Sequence, residues 1–93
     1  MITQTMIDII TAVLKQHGIT KASLFGSFAR NEETENSDVD ILIQPPQGIT
    51  LFGLAGIYCD LEEKLHRKVD LVNYRYIKPR LREIILRDKV DIL

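Results

Sequence analysis

Between Ser37 and Ile43 the chain reads Ser-Asp-Val-Asp-Ile-Leu-Ile, and Pro45-Pro46 closes the run. Side chains alternate across a strand, so Val39, Ile41 and Ile43 share one face while Asp38 and Asp40 share the other. Two residues apart on one face means Cα atoms ~6.6 Å apart, close enough for two carboxylates to converge on shared metal ions. A nearly continuous apolar run is what an inner strand shows, and a carboxylate beside it costs free energy unless it is paired or metal-bound. A bare Asp-x-Asp can equally be a strand-end turn residue followed by a solvated position. Asp70 repeats the situation, enclosed by Val69, Leu71 and Val72. Three aspartates at the edges of two inner strands make an oxygen-only donor set, which suits Mg²⁺ or Mn²⁺ rather than zinc.

The rest of the chain frames these strands. Ile2, Met6, Ile9, Ile10, Val13 and Leu14 recur at helical spacing, and Gly18 stands where a C-terminal cap belongs. Residues 19–25 (Ile-Thr-Lys-Ala-Ser-Leu-Phe) have strand composition and stop at Gly26-Ser27; a short helical turn over 27–30 follows. Asn31 to Ser37 contains no apolar residue and reads as an exposed loop. Leu51, Leu54, Tyr58, Leu61 and Leu65 mark a third helix, residues 68–72 a third strand, and Leu81, Ile84, Ile85 and Val90 a last helix with Pro79 in its first turn. The order αβ(α)βαβα describes an α+β (α/β) chain with a small mixed sheet of about three strands.

With 93 residues and 10.7 kDa the sequence predicts one domain spanning 1–93. Its 45% hydrophobic and 27% charged residues exclude wholesale disorder, a collagenous repeat and a coiled-coil rod. A chain this short buries only roughly 60–65% of its unfolded surface, so association with a partner, or with itself, fits its size. The single Cys59 makes no internal disulfide, and the start Met-Ile-Thr-Gln-Thr has no basic or cleavable leader character, which together point to the cytoplasm. No apolar stretch approaches the roughly 20 residues that cross a bilayer. Residues 1–63 hold 3 Lys/Arg against 9 Asp/Glu, whereas residues 64–89 hold 9 against 3. Either the two halves are solvated faces of opposite sign or the basic third is a surface for phosphates or an acidic partner.

Gly26-Ser27 is the second chemical element. Glycine at a strand end permits a sharp turn, and a serine opening a short helix offers its hydroxyl and free N–H groups to an anion such as a phosphate. The alternative is an ordinary turn with Ser27 as N-cap. If the two strands run antiparallel, Gly26-Ser27 and Asp38/Asp40 meet at one sheet edge, the layout that metal-assisted phosphoryl transfer needs. His17 and His66 fall near helix C-termini, where capping or dipole roles are expected. Cys59 reads as a buried small hydrophobe, with no histidine placed to activate it.

The pattern Gly26-Ser27-Phe28-Ala29-Arg30, then Ser37-Asp38-Val39-Asp40-Ile41-Leu42, then Val69-Asp70-Leu71-Val72 resembles the nucleotidyltransferase superfamily of the DNA polymerase β fold. The Gly-Ser-Phe-Ala-Arg form, the closing Leu-Arg-Glu-Ile-Ile-Leu-Arg segment and the small size resemble the minimal nucleotidyltransferases, antitoxins of HEPN/MNT toxin–antitoxin pairs. The resemblance covers nearly the whole chain. It implies that Gly26 and Ser27 grip a nucleoside triphosphate, that Asp38 and Asp40 hold Mg²⁺ (two ions, or Mn²⁺), and that Asp70 serves the metal nearer the acceptor hydroxyl. Arg30 matches the family arginine, as a phosphate contact or as an ion pair with the acidic loop. Ser37 is read as a cap of the turn into the strand.

The implied reaction is transfer of AMP from ATP to a tyrosine of a HEPN-domain toxin. The basic residues Arg75, Lys78, Arg80, Arg82, Arg87 and Lys89 offer a docking surface for that partner, with a solvated helix face as the alternative. Tyr74 and Tyr76 are interface anchors, or one of them packs in the core. Direct binding to nucleic acid is not expected. One departure is Asn31, where relatives commonly carry glycine; asparagine tolerates the left-handed backbone that such a turn needs. Two rival readings stand beside the enzyme: an antitoxin that only occludes its toxin, and a small-molecule nucleotidyltransferase, which the absence of an acceptor domain disfavours.

Overall fold

The computed structural model describes residues 2–93. Helix α1 (Gln4–Gln16) starts at Thr3, whose hydroxyl accepts from the Met6 N–H, and ends where Gly18 takes a left-handed φ of 78°. Strand β1 (Ala22–Phe25) runs into the one-turn helix α2 (Gly26–Ala29), followed by strand β2 (Val39–Ile43) and helix α3 (Leu51–Leu65). Strand β3 (Val69–Asn73), a 3₁₀ turn at Tyr74–Tyr76, helix α4 (Pro79–Asp88) and strand β4 (Val90–Asp91) complete the chain.

The mixed sheet has four strands in the order β3-β2-β1-β4, antiparallel except for the parallel β2–β3 pair. The expected three strands are therefore joined by a fourth, and Val90 belongs to it rather than to the last helix. A two-residue strand carries no periodicity to read. What holds β4 is its pairing with Ser23 and Leu24 and an unusual polar chain. Tyr74 Oη donates to the Ser23 hydroxyl, which donates to Asp91 Oδ1 at 2.5 Å; Lys89 Nζ donates to the same oxygen at 2.6 Å. Ser23 is fully buried, so this chain satisfies a hydroxyl that would otherwise cost free energy.

The strand register sorts the side chains. Ala22, Leu24, Val39, Ile41, Ile43 and Val69 face one way and join Ile10, Val13, Leu14, Ile57 and Leu61 of α1 and α3 in a continuous core. His17 Nε2 meets Asp60 Oδ2 at 2.8 Å across the α1–α3 contact. His17 and His66 are the C-caps of α1 and α3, as their positions predict. The opposite face carries Ser23, Phe25, Asp40, Leu42, Asp70 and Val72. Leu42 is fully buried there, so β2 is covered on both sides, which explains its unbroken Ile-Leu-Ile run.

Of the two strands expected to be inner, β2 is and β3 is not: β3 forms one edge. Its outward backbone is not left open. Glu62 Oε2 accepts from the Val69 N–H at 2.9 Å, while the Tyr58 hydroxyl accepts from the Leu71 N–H at 3.1 Å and donates to the Leu71 carbonyl at 3.3 Å. Side chains of α3 thus take the place of a fifth strand and block edge pairing. Cys59 corrects a second expectation, because it lies on the exposed side of α3 rather than in the core.

Candidate active site

The antiparallel β1–β2 pair brings Gly26-Ser27 to the aspartates, since Phe25 is the register partner of Asp40. On the other side Asp40 pairs with Asp70. One row across the sheet therefore reads Phe25, Asp40, Asp70, with Asp38 just before β2 and Gly26 just after β1. Asp40 is half-buried, whereas Asp38 and Asp70 are exposed.

Gly26 has a left-handed φ of 70°, and a Cβ built there would lie 2.1 Å from Asp40 Oδ2. Glycine is required twice over at this position: by the turn, and by the carboxylate packed against its Cα. Ser27 lies in the first turn of α2, where backbone N–H groups have no intrahelical partner. The N-cap is Phe25, with no side-chain cap bond, so the alternative reading of Ser27 as N-cap does not hold. Asn31 adopts a left-handed φ of 57°, the conformation asparagine was expected to accommodate.

The charges are crowded. Burial first, then the carboxylates of Asp70 and Asp38, push the Asp40 carboxyl up to about 6, against the pull of the Arg30 guanidinium. Arg30 thus acts on Asp40 electrostatically, while its Nε donates to Glu32 Oε2 at 3.1 Å. The ion pair with the acidic loop is the arrangement found. Among the described residues no three acidic, histidine or cysteine side chains stand close enough together to hold a metal as they are. The fit rests instead on donor chemistry and electrostatics: three carboxylates adjacent in register or sequence, with the half-buried Asp40 between the other two. Such a set suits a hard cation, which would offset both the burial and the like-charge neighbours that raise the Asp40 carboxyl.

Arg67 is a residue that sequence reading missed. Its Nη1 donates to the carbonyls of Thr34 (3.1 Å), Glu35 (3.2 Å) and Ser37 (3.2 Å), and its guanidinium stacks over the Phe28 ring, 5.2 Å from the centroid. One side chain thereby clamps α2 to the loop that delivers Asp38. Ser37 closes the same loop, its Oγ accepting from the Thr34 N–H at 2.8 Å, which is the turn-capping role expected of it. The only advance signal for Arg67 was a cation preceding a strand, and nothing in its neighbours distinguishes it from Lys68.

The larger open cleft, about 850 Å³, lies between the Pro45-Pro46 loop and residues 73–76, at the far ends of β2 and β3 from Asp38. A smaller cavity of about 350 Å³ lies between α4 and the sheet and includes Asp70 in its lining. No helix is long and apolar enough to cross a membrane among the described residues.

A half-buried aspartate thus stands on a mixed sheet flanked by two others and closed on one side by a Gly-Ser turn. The family model for Polymerase beta, Nucleotidyltransferase matches residues 8–93, and the chain belongs to that family. Among curated relatives, a Methanocaldococcus jannaschii protein provisionally named protein adenylyltransferase MJ0435 is 44% identical over 84 residues, 90% of each chain. Protein adenylyltransferase MntA of Thermococcus cleftensis is 34% identical over 89 residues, covering 91% of this chain and 90% of its own. A solved structure provisionally assigned as a minimal nucleotidyltransferase superposes with a TM-score of 0.81 at 36% identity, covering 94% of this chain and 89% of that one. The fold also matches a complex of a tri-AMPylated Shewanella oneidensis HEPN toxin with MNT antitoxin, with a TM-score of 0.74 at 20% identity, over 97% of this chain and 71% of that one.

Proposed function

We propose that this chain is a Mg²⁺-dependent protein adenylyltransferase that transfers AMP from ATP to a tyrosine of a cognate HEPN toxin and so acts as its antitoxin. The observation that carries the reading is the row Phe25–Asp40–Asp70 with Gly26 closed against Asp40. Supporting it, curated relatives at 44% and 34% identity carry adenylyltransferase names, and a protein of the same fold pairs with an AMPylated toxin. Residues 1–93 act in this reading as one domain, in the cytoplasm, with the toxin supplying the acceptor.

Gly26 lets the backbone approach the triphosphate, and the Ser27 hydroxyl with the first N–H groups of α2 holds its phosphates. Asp38, Asp40 and Asp70 are the residues that would hold divalent cations, two Mg²⁺ or Mn²⁺. Bound there, such ions neutralise charge on the reacting phosphate and on the leaving pyrophosphate. Asp70 accepts the acceptor hydroxyl's proton as its oxygen attacks the α-phosphorus. Arg30 holds the Glu32 side of the acidic loop and offsets the negative charge around Asp40. The exposed cations of residues 75–87, with Ile84 on the exposed surface of α4, form the docking surface for the toxin.

The test is AMP transfer from ATP to the HEPN protein encoded beside this gene, followed by intact mass. Wild type adds adenylyl groups; Asp40→Asn and Asp70→Asn reduce the rate by at least 10³-fold, as expected when a metal-ligand carboxylate is lost. Full activity in either variant overturns the assignment. Toxin neutralised equally well by the Asp38→Asn, Asp40→Asn double variant would instead establish occlusion as the mode of action.

A further inference from the structure

The cavity between α4 and the sheet opens onto two of the three members of the reactive row. Its walls include Phe25 and Asp70, the two register partners of Asp40, so it reaches the reacting centre from both flanks. Val72, Leu81 and Ile85 make its body, and Tyr76, 72% exposed, stands at its mouth. At about 350 Å³ it falls at the small end of the ~300–1,000 Å³ typical of ligand pockets.

We infer that this cavity seats the aromatic ring of the acceptor tyrosine, with the phenol oxygen directed at Asp70. The inference rests on the adenylyl-transfer reading above and adds the acceptor subsite to it. A phenol has an apolar body and a single polar end, and the cavity offers aliphatic and aromatic walls from Phe25, Val72, Ile77, Leu81 and Ile85, with Lys78 also in its lining and the Asp70 carboxylate at the end next to Asp40. In-line attack makes the same assignment. With the leaving phosphates held at Gly26-Ser27, the nucleophile enters from the opposite side of Asp40, so it is the Asp70 end of the cavity, not its Phe25 end, that delivers the phenol oxygen. The phenol oxygen forms a bond to the α-phosphorus of ATP and the bond from that phosphorus to the β-bridging oxygen breaks. Pyrophosphate leaves, and the phenol proton passes to the Asp70 carboxylate and on to water.

Leu81 is partly exposed and lines the cavity from α4, so Leu81→Trp fills it from that wall. For this variant the acceptor KM should rise at least tenfold while the ATP·Mg²⁺ dependence of the thermal midpoint stays within twofold of wild type. Tyr76→Ala, at a position too exposed to affect folding, should raise acceptor KM severalfold with the same split. On wild-type protein without ATP, N-acetyltyrosinamide should shift the amide resonances of Val72, Leu81 and Ile85. Variants that weaken ATP binding and leave acceptor KM unchanged would make this cavity a nucleobase site and overturn the inference. Unchanged KM for both substrates would overturn it while leaving adenylyl transfer intact; absence of transfer by wild type would overturn both.

Discussion

Replacing Asp40 by asparagine should make the protein more stable at neutral pH even as it disables the site. The folded state raises the Asp40 carboxyl from 3.8 to about 6. At ~1.4 kcal/mol per pH unit that rise corresponds to about 3 kcal/mol of unfavourable free energy once the group is ionised. Asp40 is only half-buried, so solvent screening reduces the figure to about 1–1.5 kcal/mol. The sign follows from proton binding. Folded Asp40 holds its proton more tightly than unfolded Asp40, so stability is lost as pH rises from 3.8 to about 6 and is level above that. Asparagine is uncharged and nearly isosteric, and removes this loss. Thermal unfolding in EDTA, followed by circular dichroism, should place the Asp40→Asn midpoint about 4–12 °C above wild type at pH 7.5, given roughly 4–8 °C per kcal/mol for a domain of this size. The gap should close as the pH approaches 4. A variant no more stable than wild type at pH 7.5, or a gap undiminished at pH 4, would refute the reasoning.

Gly26→Ala places a methyl group against Asp40 Oδ2 and forces a left-handed residue, and should cost about 1–3 kcal/mol in urea unfolding together with most of the transfer activity. Arg67→Ala removes three charge-assisted bonds to carbonyls, so hydrogen exchange at residues 36–39 should speed up at least tenfold while α1 amides change little. Tyr74→Phe deletes the outer link of the Ser23–Asp91 chain and should lower stability by about 1 kcal/mol, with faster exchange at residues 90–93. Cys59, exposed on α3, should react with Ellman's reagent in the native protein; reaction only after unfolding would contradict its placement.

The site row was legible because its parts follow short-range rules: alternation in β2 separates the aspartates from Val39 and Ile41, and an antiparallel β1–β2 pair is what a short loop permits. Features set by tertiary contact were not legible. Cys59 has an apolar flank in sequence, yet its side of α3 has no element packed on it. The apolar run of β3 suggested burial between two strands, but Glu62 and Tyr58 complete its outer edge instead, a substitution no local pattern announces. Tyr74 and Tyr76, two residues apart and alike in composition, divide: one bonds the buried Ser23, the other stands exposed at the cavity mouth. Only the path of the chain through the 3₁₀ turn decides between them.

Gly26 and the raised Asp40 carboxyl are two results of one crowding. To bring a Gly-Ser turn against a carboxylate, the fold removes water from Asp40 and places Asp70 beside it in register, which makes ionisation costly in the absence of a counter-charge. The same crowding makes the site responsive, because a cation that relieves the repulsion recovers that free energy as binding and as stability. Mg²⁺ with ATP should therefore raise the midpoint of wild type substantially and that of Asp40→Asn hardly at all. In a chain with so small a core, the candidate site and the fold should be coupled, so that binding of ATP·Mg²⁺ orders the face of α4 that a toxin would meet under the proposed function. Hydrogen exchange across residues 79–88, with and without ATP·Mg²⁺, measures that coupling directly: protection that rises in wild type and not in Asp40→Asn establishes it, and equal exchange in both refutes it.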